Sequence, residues 1–285
     1  MPIHANALGA ELEPRTVEVT TRMALAFAAG VGDVGPRTFD DAGAMPLMAP
    51  PAFCARLEWG VLLRGRNDLL GVDETERLRG VHVEQDSVFH RPIRPGDRVT
   101  TGGGVVEIRE TRAGALVRIL FKTVSAVSGD PVVTSWQSSI YRGVGVQGPG
   151  GSLLTLPDAP TAPVDLKGRR AISITREAAH VYSECADIWN PIHSERAVAR
   201  RAGLAEVILH GTASWAMAGR EIVTLYAGGD PTRLLRLRAK FKAPVIPGHP
   251  ITLFHGAGSP GEIHFQVLNH EGAVALADGF ASLTS

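Results

Sequence analysis

The sequence predicts an α+β protein built from two similar halves. Residues 89–97 read FHRPIRPGD and residues 241–249 read FKAPVIPGH, so a Pro-Gly pair recurs 152 residues later. A segment rich in glycine and proline, residues 143–166, separates the two copies. Each copy runs from a strand through a helix to segments of alternating polarity, an order that is typical of a helix packed on an antiparallel sheet.

The composition is that of a globular protein with no dedicated nucleic-acid surface. The 285 residues carry 29 basic and 29 acidic side chains, whereas a nucleic-acid binder would be strongly basic. The N-terminal segment lacks the basic start and apolar core of a secretory signal, and no apolar stretch reaches the roughly 18 residues of a membrane span. Two cysteines exclude a disulfide framework and a four-thiolate metal site, so we expect a cytoplasmic protein.

The domain boundaries follow from the repeat. We predict a first domain over 1–142, a linker over 143–166 and a second domain over 167–285. The glycine and proline content of the linker excludes a helix or a central strand there.

The helices of each half are predicted from their start signals and apolar spacing. The first strand of each copy leads to a threonine expected to cap a helix, Thr20 in one copy and Thr175 in the other. A long helix of small residues is predicted over 212–226, with its counterpart over 53–63. The remaining segments alternate with period two and are predicted to be strands.

Polar residues interrupt the apolar pattern at one place in the second half, residues 187–193. Pro191 ends the preceding helix, so Asn190 and His193 are presented from a defined turn. An asparagine side chain both donates and accepts hydrogen bonds, and histidine titrates near neutral pH. This pattern favours general acid–base chemistry.

A second candidate element is the His210-Gly211 pair before the long helix. Amides at a helix start lack partners and lie in positive potential, and glycine allows a ligand to approach closely. The pair therefore predicts a site for the oxygen of a thioester or carboxyl group. His210 either binds a ligand or makes local bonds at the helix start, and both readings stay open.

The turn from Asn190 to His193, together with Tyr182, His210-Gly211 and the long helix, resembles the MaoC-like (R)-specific enoyl-CoA hydratases, also called the hydratase 2 family. The segment 89–97 resembles the matching strand of that family's N-terminal domain. The resemblance implies a double hot-dog fold, in which each half wraps a curved antiparallel sheet around a long central helix. It also implies hydration of trans-2-enoyl-CoA, or the reverse dehydration, without a metal or redox cofactor.

The resemblance implies roles for individual residues. In that family an Asp and the motif His hold the water and move its proton, the Asn orients them, and the Gly amide polarises the thioester carbonyl. His193, Asn190 and Gly211 match these positions. The family spacing would put the Asp at Ile188, and Asp187 lies one residue earlier. Because a helix turns by about 100° per residue, Asp187 is the candidate second catalytic residue only if the helix has unwound there. Otherwise activity rests on His193 alone or is lost.

The first half lacks the motif. The residues that correspond to Asn190–His193 read Gly-Pro-Arg-Thr over 35–38, and Pro50-Pro51 corresponds to His210-Gly211. We therefore expect one active site per chain.

Three further residues are candidates for substrate binding. Tyr182 lies on an apolar helix face and belongs either to the core or to the substrate pocket. Arg236 and Arg238 share one face of the strand over 234–242, which is either solvated or binds the phosphates of coenzyme A. The equivalent strand over 81–89 is acidic.

The expected partner is an acyl thioester of coenzyme A or of acyl carrier protein, and a homodimer is compatible with the resemblance. Three patterns of the form GxGxxG occur, but none follows a strand and opens a helix, so a dinucleotide site is not predicted. Two alternatives remain: a non-catalytic acyl-thioester binding protein or subunit, and an acyl-CoA thioesterase, because one fold supports several functions.

Overall fold

The computed structural model describes residues 1–73, 76, 79–158 and 165–284. The first half contains β1 (Ile3–His4), β2 (Glu11–Glu18), α1 (Thr21–Gly30), α2 (Cys54–Leu62), α3 (Arg66–Leu70), β3 (Gly80–Phe89), β4 (Arg98–Thr111), β5 (Gly114–Ser125) and β6 (Pro131–Arg142). Two short strands, β7 (Val146–Gln147) and β8 (Gly151–Ser152), lie within the predicted linker, of which residues 159–164 fall outside the described ranges.

The second half contains β9 (Gly168–Ile172), α4 (Ala178–Ala186), α5 (Arg196–Arg201), α6 (Gly211–Tyr226), β10 (Leu234–Phe241), β11 (Ile251–Ala257), β12 (Glu262–Leu268) and β13 (Val274–Leu283). Short 3-10 helices cover Ala5–Ala7, Pro51–Phe53, Pro191–His193 and Pro231–Arg233. Among the helices of the described ranges, none is both long enough and apolar enough to cross a membrane.

One continuous sheet connects the two halves. Its strands follow the order β2-β4-β5-β6-β3-β10-β13-β12-β11-β9, with β8 paired to β4, and every neighbouring pair is antiparallel. The β3–β10 pair is the junction, where Arg236–Lys240 runs beside Glu84–Val88.

Each half encloses a central helix. Helix α6 is buried over most of its length, including Trp215 and Ile222, and packs on β10 and β13. Helix α2 packs on β2 and β4 in the first half. A helix that is apolar on most of its faces is stable only inside a core. The fold is therefore a double hot-dog, as the resemblance implied.

The two Pro-Gly turns have the same conformation. Gly96 and Gly248 adopt φ values of +89° and +91°, a region that favours glycine. The Gly96 amide donates to the Val19 carbonyl at 2.7 Å, and the Gly248 amide donates to the Thr175 carbonyl at 3.1 Å. The turn thus closes on the end of the first strand segment in both halves.

A second hydrogen bond recurs ahead of each central helix. The Ala49 amide donates to the Ile93 carbonyl at 2.9 Å, and the Leu209 amide donates to the Val245 carbonyl at 2.8 Å. The segments that follow Ala49 and Leu209 therefore occupy equivalent places in the two halves.

The helix starts differ between the copies. Thr20 caps α1 as predicted, since its Oγ1 accepts from the Met23 amide at 3.2 Å. The cap predicted at Thr175 is wrong, because α4 begins only at Ala178. The Thr175 backbone instead forms the turn that receives the Gly248 amide.

Ion pairs cross the junction between the halves. Arg236 binds Asp86 through Nε at 2.8 Å and Nη2 at 2.6 Å, and the Arg238 Nη2 lies 2.6 Å from Glu84 Oε1. Arg118 of the first half also contacts Glu84, at 3.2 Å. All of these side chains are largely buried. We call the four cross-half residues Glu84, Asp86, Arg236 and Arg238 the junction ion pairs.

Two arginines on the central helices connect the halves by hydrogen bonds. Arg56 of α2 donates to the Cys185 carbonyl at 3.4 Å, and Arg220 of α6 donates to the carbonyls of Val31 and Gly32, both at 2.7 Å. Each arginine thus binds the C-terminal end of the other half's first helix, where the carbonyls lack helical partners and the potential is negative.

The junction ion pairs make a testable contribution to stability. Asp86→Asn leaves the Arg236 guanidinium largely buried without its carboxylate, so we expect the free energy of unfolding to fall by about 3 kcal/mol. The matched control is Asp278→Asn, which removes an exposed ion pair with Lys240 and should cost less than about 1 kcal/mol. Urea unfolding followed by circular dichroism measures both. Equal losses in the two variants would contradict a stabilising junction.

Candidate active site

The turn over 187–193 is shaped by how helix α4 ends. Asp187 follows the helix in the left-handed conformation, with φ 54° and ψ 39°. Asn190 then caps the short helix Pro191–His193, because its Oδ1 accepts from the Ile192 amide at 3.4 Å. The proline occupies the first helical position, where its missing N–H costs nothing. This cap fixes the position of His193 at the end of the turn.

His193 has one ring nitrogen bound and the other free. Its Nδ1 lies 2.8 Å from the Ile208 carbonyl oxygen, which only accepts, so Nδ1 carries the proton. Nε2 is then a lone-pair acceptor, and it has no hydrogen-bond partner within the described residues. Burial lowers the pKa of His193 to about 4, although the bond to Ile208 opposes that shift. At neutral pH the ring is an uncharged base.

His210 stacks on His193, with ring centroids 3.6 Å apart and planes inclined by 24°. Its Nε2 lies 3.0 Å from the Ile188 carbonyl oxygen and 3.3 Å from Ser183 Oγ, so this nitrogen is the donor. Burial, followed by the neighbouring His193, holds the pKa of His210 well below its usual value. Only 3% of His210 is exposed. For His210, the sequence left open ligand binding or local bonds at the helix start, and the geometry supports the local bonds.

Gly211 begins helix α6 beside these rings. The amides of Ala213 and Ser214 bond to the His210 carbonyl, whereas those of Gly211 and Thr212 have no acceptor among the described residues. A Cβ on residue 211 would lie 2.8 Å from Cδ2 of Phe241, so only glycine fits. The helix start therefore offers free N–H donors in positive potential.

Tyr182 belongs to the core. The ring is fully buried, lies 4.9 Å from the His210 ring, and donates its hydroxyl to Thr212 Oγ1 at 3.1 Å. Burial raises the pKa of this hydroxyl. Tyr182 thus supports the start of α6 through this hydrogen bond. Its side chain has no exposed surface that a substrate could contact.

The expected second catalytic residue, Asp187, lies apart from the histidine pair. Its side chain is 62% exposed and forms an ion pair with Arg56 Nη2 at 3.1 Å. The left-handed backbone at the helix end brings the carboxylate to this arginine of the first half. Ile188, where the resemblance calls for Asp, is buried, and its carbonyl accepts from His210.

The structure corrects the prediction of a phosphate-binding face at Arg236 and Arg238. Both guanidinium groups are occupied by the carboxylates of the junction ion pairs. The Asp158 carbonyl of the linker also accepts from Arg236 at 2.7 Å. The acidic strand noted in the first half is therefore the neighbour that neutralises the basic strand of the second.

Sequence reasoning missed three groups that shape the site. Ile208 contributes only a carbonyl oxygen, which no side-chain pattern reveals. Ser183 lies one residue after Tyr182 on α4 and reads as an ordinary helix position. Arg56 comes from the other half, and its contact with the Cys185 carbonyl joins residues 129 positions apart. Within the described residues, no three His, Cys, Asp or Glu side chains are arranged to hold a metal ion.

Two family models match the chain. The model described as "FAS1-like, dehydratase domain region" matches residues 6–135, and the "MaoC like domain" matches residues 159–255. The 3-hydroxyacyl-thioester dehydratase Y of Mycobacterium tuberculosis is 28% identical over 98% of both chains. A probable enoyl-CoA hydratase 2 of Dictyostelium discoideum is 26% identical over 74% of this chain and 73% of the relative.

The fold has a counterpart among solved structures. The crystal structure of a MaoC-like dehydratase from Phytophthora capsici superposes with a TM-score of 0.85, covering 99% of this chain and 98% of the other. The two sequences are 21% identical, so this likeness concerns the fold alone.

The state of His193 can be observed directly. We expect a neutral ring with its proton on Nδ1 at about pH 6, where an ordinary histidine is mostly protonated. Long-range proton–nitrogen NMR spectra distinguish this tautomer by two well-separated nitrogen shifts, and His193→Ala identifies the signals by their loss. A doubly protonated ring at that pH would contradict the effect of burial.

Proposed function

Because the chain belongs to the MaoC-like dehydratase family, we propose that it adds water to the double bond of a trans-2-enoyl thioester, or removes water from a 3-hydroxyacyl thioester. The observation that carries the proposal is the free, uncharged Nε2 of His193 in the same site as the free amides that begin α6. A base and an oxyanion donor are the two groups that this reaction needs.

In the direction of hydration, His193 Nε2 takes a proton from a water molecule, whose oxygen forms the new bond to C3. The electrons of the C2–C3 double bond move toward the thioester oxygen and give an enolate. The imidazolium of His193 then returns the proton to C2. Dehydration follows the same steps backwards. Because His193 first accepts this proton and then donates it, the reaction neither gains nor loses a proton.

The enolate oxygen carries the charge that develops in this reaction. The Gly211 amide donates to it, and the positive potential at the start of the 16-residue helix α6 favours it. Removal of one such donor typically costs about 10²–10³ in turnover. Since a side chain on residue 211 would collide with Phe241, glycine keeps this amide open to the substrate.

Asn190 acts as a positioning residue in this proposal. Its Oδ1 is used by the cap of the short helix that carries His193, which leaves the side-chain NH₂ group as a donor. Asp187 is the residue that fits least, because its carboxylate is exposed and paired with Arg56. We propose that His193 works without a carboxylate partner.

A second candidate function is binding of an acyl thioester without turnover. It is favoured by Ile188, which is apolar at the position where the family carries an Asp. The substrate class is the same for both functions, so the difference lies in the chemistry and is open to a direct assay.

The assay incubates the protein with crotonyl-CoA and follows two signals. Loss of enoyl absorbance without release of free thiol is the expected result. Release of thiol would identify a thioesterase, and binding with neither signal would identify the non-catalytic protein. Both of these outcomes contradict the proposal.

Substitution of His193 tests its role. His193→Ala should lower turnover of crotonyl-CoA by about 10²–10⁴-fold, the usual range for a lost general acid–base group. Asp187→Asn is the matched control and should leave turnover nearly unchanged. A large loss in Asp187→Asn would show that the carboxylate takes part, and retained turnover in His193→Ala would overturn the assignment.

The pH dependence follows from the lowered pKa of His193. The protonated ring cannot accept a proton, so kcat/KM should fall as pH decreases through about 4 and stay level through neutral pH. An ordinary histidine would give an acid limb near about 6.5. Circular dichroism at each pH checks that the fold is intact. An acid limb near the ordinary value would contradict the buried, uncharged base.

A further inference from the structure

A cavity of about 460 Å³ lies between the loop over 31–38 and the middle of helix α6. Its volume falls within the range of about 300–1,000 Å³ that small-molecule sites occupy. The described residues that line it do not include His193, Asn190 or Gly211. We call it the first-half pocket.

The first-half pocket occupies the place that corresponds to the active site in the repeat. The Thr38 amide donates to the Gly35 carbonyl at 3.1 Å, just as the His193 amide donates to the Asn190 carbonyl at 3.0 Å. His193 follows Thr38 by 155 residues, and Asn190 follows Gly35 by the same number, so the two turns are equivalent. Thr38 and Gly35 line the pocket, as does Pro51, which begins the short 3-10 helix that leads into α2.

The catalytic groups are missing from this copy. Thr38 has no titratable base, and its hydroxyl donates to Asp33 Oδ1 at 2.7 Å. Gly35 has no side chain in the place of Asn190. Pro51 stands where Gly211 stands in the other half and has no amide hydrogen to donate to a thioester oxygen. The pocket therefore has room for a ligand but lacks the chemistry for hydration.

The walls suit a hydrocarbon chain. The apolar side chains that line the pocket include Val31, Pro36, Ala216, Val223, Leu234 and Leu237. The charged side chains of the lining are Asp33, Glu221, Arg170 and Arg220, and both arginines are paired with Glu221. Arg170 is 55% exposed and makes no other hydrogen bond within the described residues, so its remaining N–H groups face solvent. An apolar interior with a cation at its edge matches an acyl chain joined to a phosphate-bearing carrier.

We propose that the first-half pocket binds the acyl chain of a second thioester molecule without reacting with it. This inference rests on the proposed function, because the ligand belongs to the same chemical class as the substrate. One helix serves both places: residue 211 begins α6 at the active site, and residues 216–224 of α6 form a wall of the pocket.

The test measures how many acyl thioesters one chain binds. Decanoyl-CoA has no double bond at C2 and is not hydrated, so its binding can be followed by isothermal titration calorimetry. Thr224→Trp places an indole at the wall of the pocket from an exposed position. The matched control, Leu225→Trp, adds the same side chain at the next, exposed residue of α6, which does not line the pocket.

We expect the unaltered protein and Leu225→Trp to bind two equivalents of decanoyl-CoA, and Thr224→Trp to bind one while it still hydrates crotonyl-CoA. Should Thr224→Trp fail to fold, Ala216→Phe fills the same pocket from the helix. If the protein binds a single equivalent and neither filling variant removes it, the inference is overturned and the proposed function stands. If the protein binds two equivalents and a filling variant removes one, but crotonyl-CoA is not turned over, the inference about the pocket is upheld and the proposed function is overturned.

Discussion

The pairing of β3 with β10 is the interaction on which the rest of the molecule depends. It turns two separate sheets into one, and it brings an acidic strand beside a basic one, so that Glu84 and Asp86 neutralise Arg238 and Arg236. Although burial opposes ionisation, the neighbouring arginines hold the pKa of Glu84 below its usual value. The charges at the junction thus neutralise one another within the sheet.

Joining the halves in this way also sets where each copy's loops lie. The turn after α4 reaches the central helix of the first half through Arg56, and the turn after α1 reaches the central helix of the second through Arg220. The first-half pocket is therefore lined by residues of both halves, whereas the stacked rings of His193 and His210 both come from the second. In the proposal above, the first-half pocket lacks catalytic groups, yet the shared sheet and the Arg220 hydrogen bonds still join its two sides.

Local features were predictable from the sequence, and features made by contact between the halves were not. The Pro-Gly turns, the cap at Thr20 and the long helix α6 depend on neighbours in the chain, so their patterns carry them. The role of Arg236 depends on a strand 150 residues away. The alternation of polar and apolar residues alone predicts that such a side chain is solvated. Asp187 depends on a left-handed helix end and on Arg56, neither of which its spacing reveals.

The resemblance implies an Asp where this chain has Ile188, and the state of His193 is consistent with that difference. A carboxylate beside an imidazole stabilises the charged ring and raises its pKa, whereas burial among uncharged groups lowers it. Burial disfavours the imidazolium of His193, and the hydrogen bond to the Ile208 carbonyl opposes this effect without cancelling it, so the ring is uncharged in the resting state. In the proposed reaction, a cation formed at His193 gains its stability from the enolate that it faces. In that reaction, the low pKa keeps His193 unprotonated before catalysis and favours the return of its proton to C2.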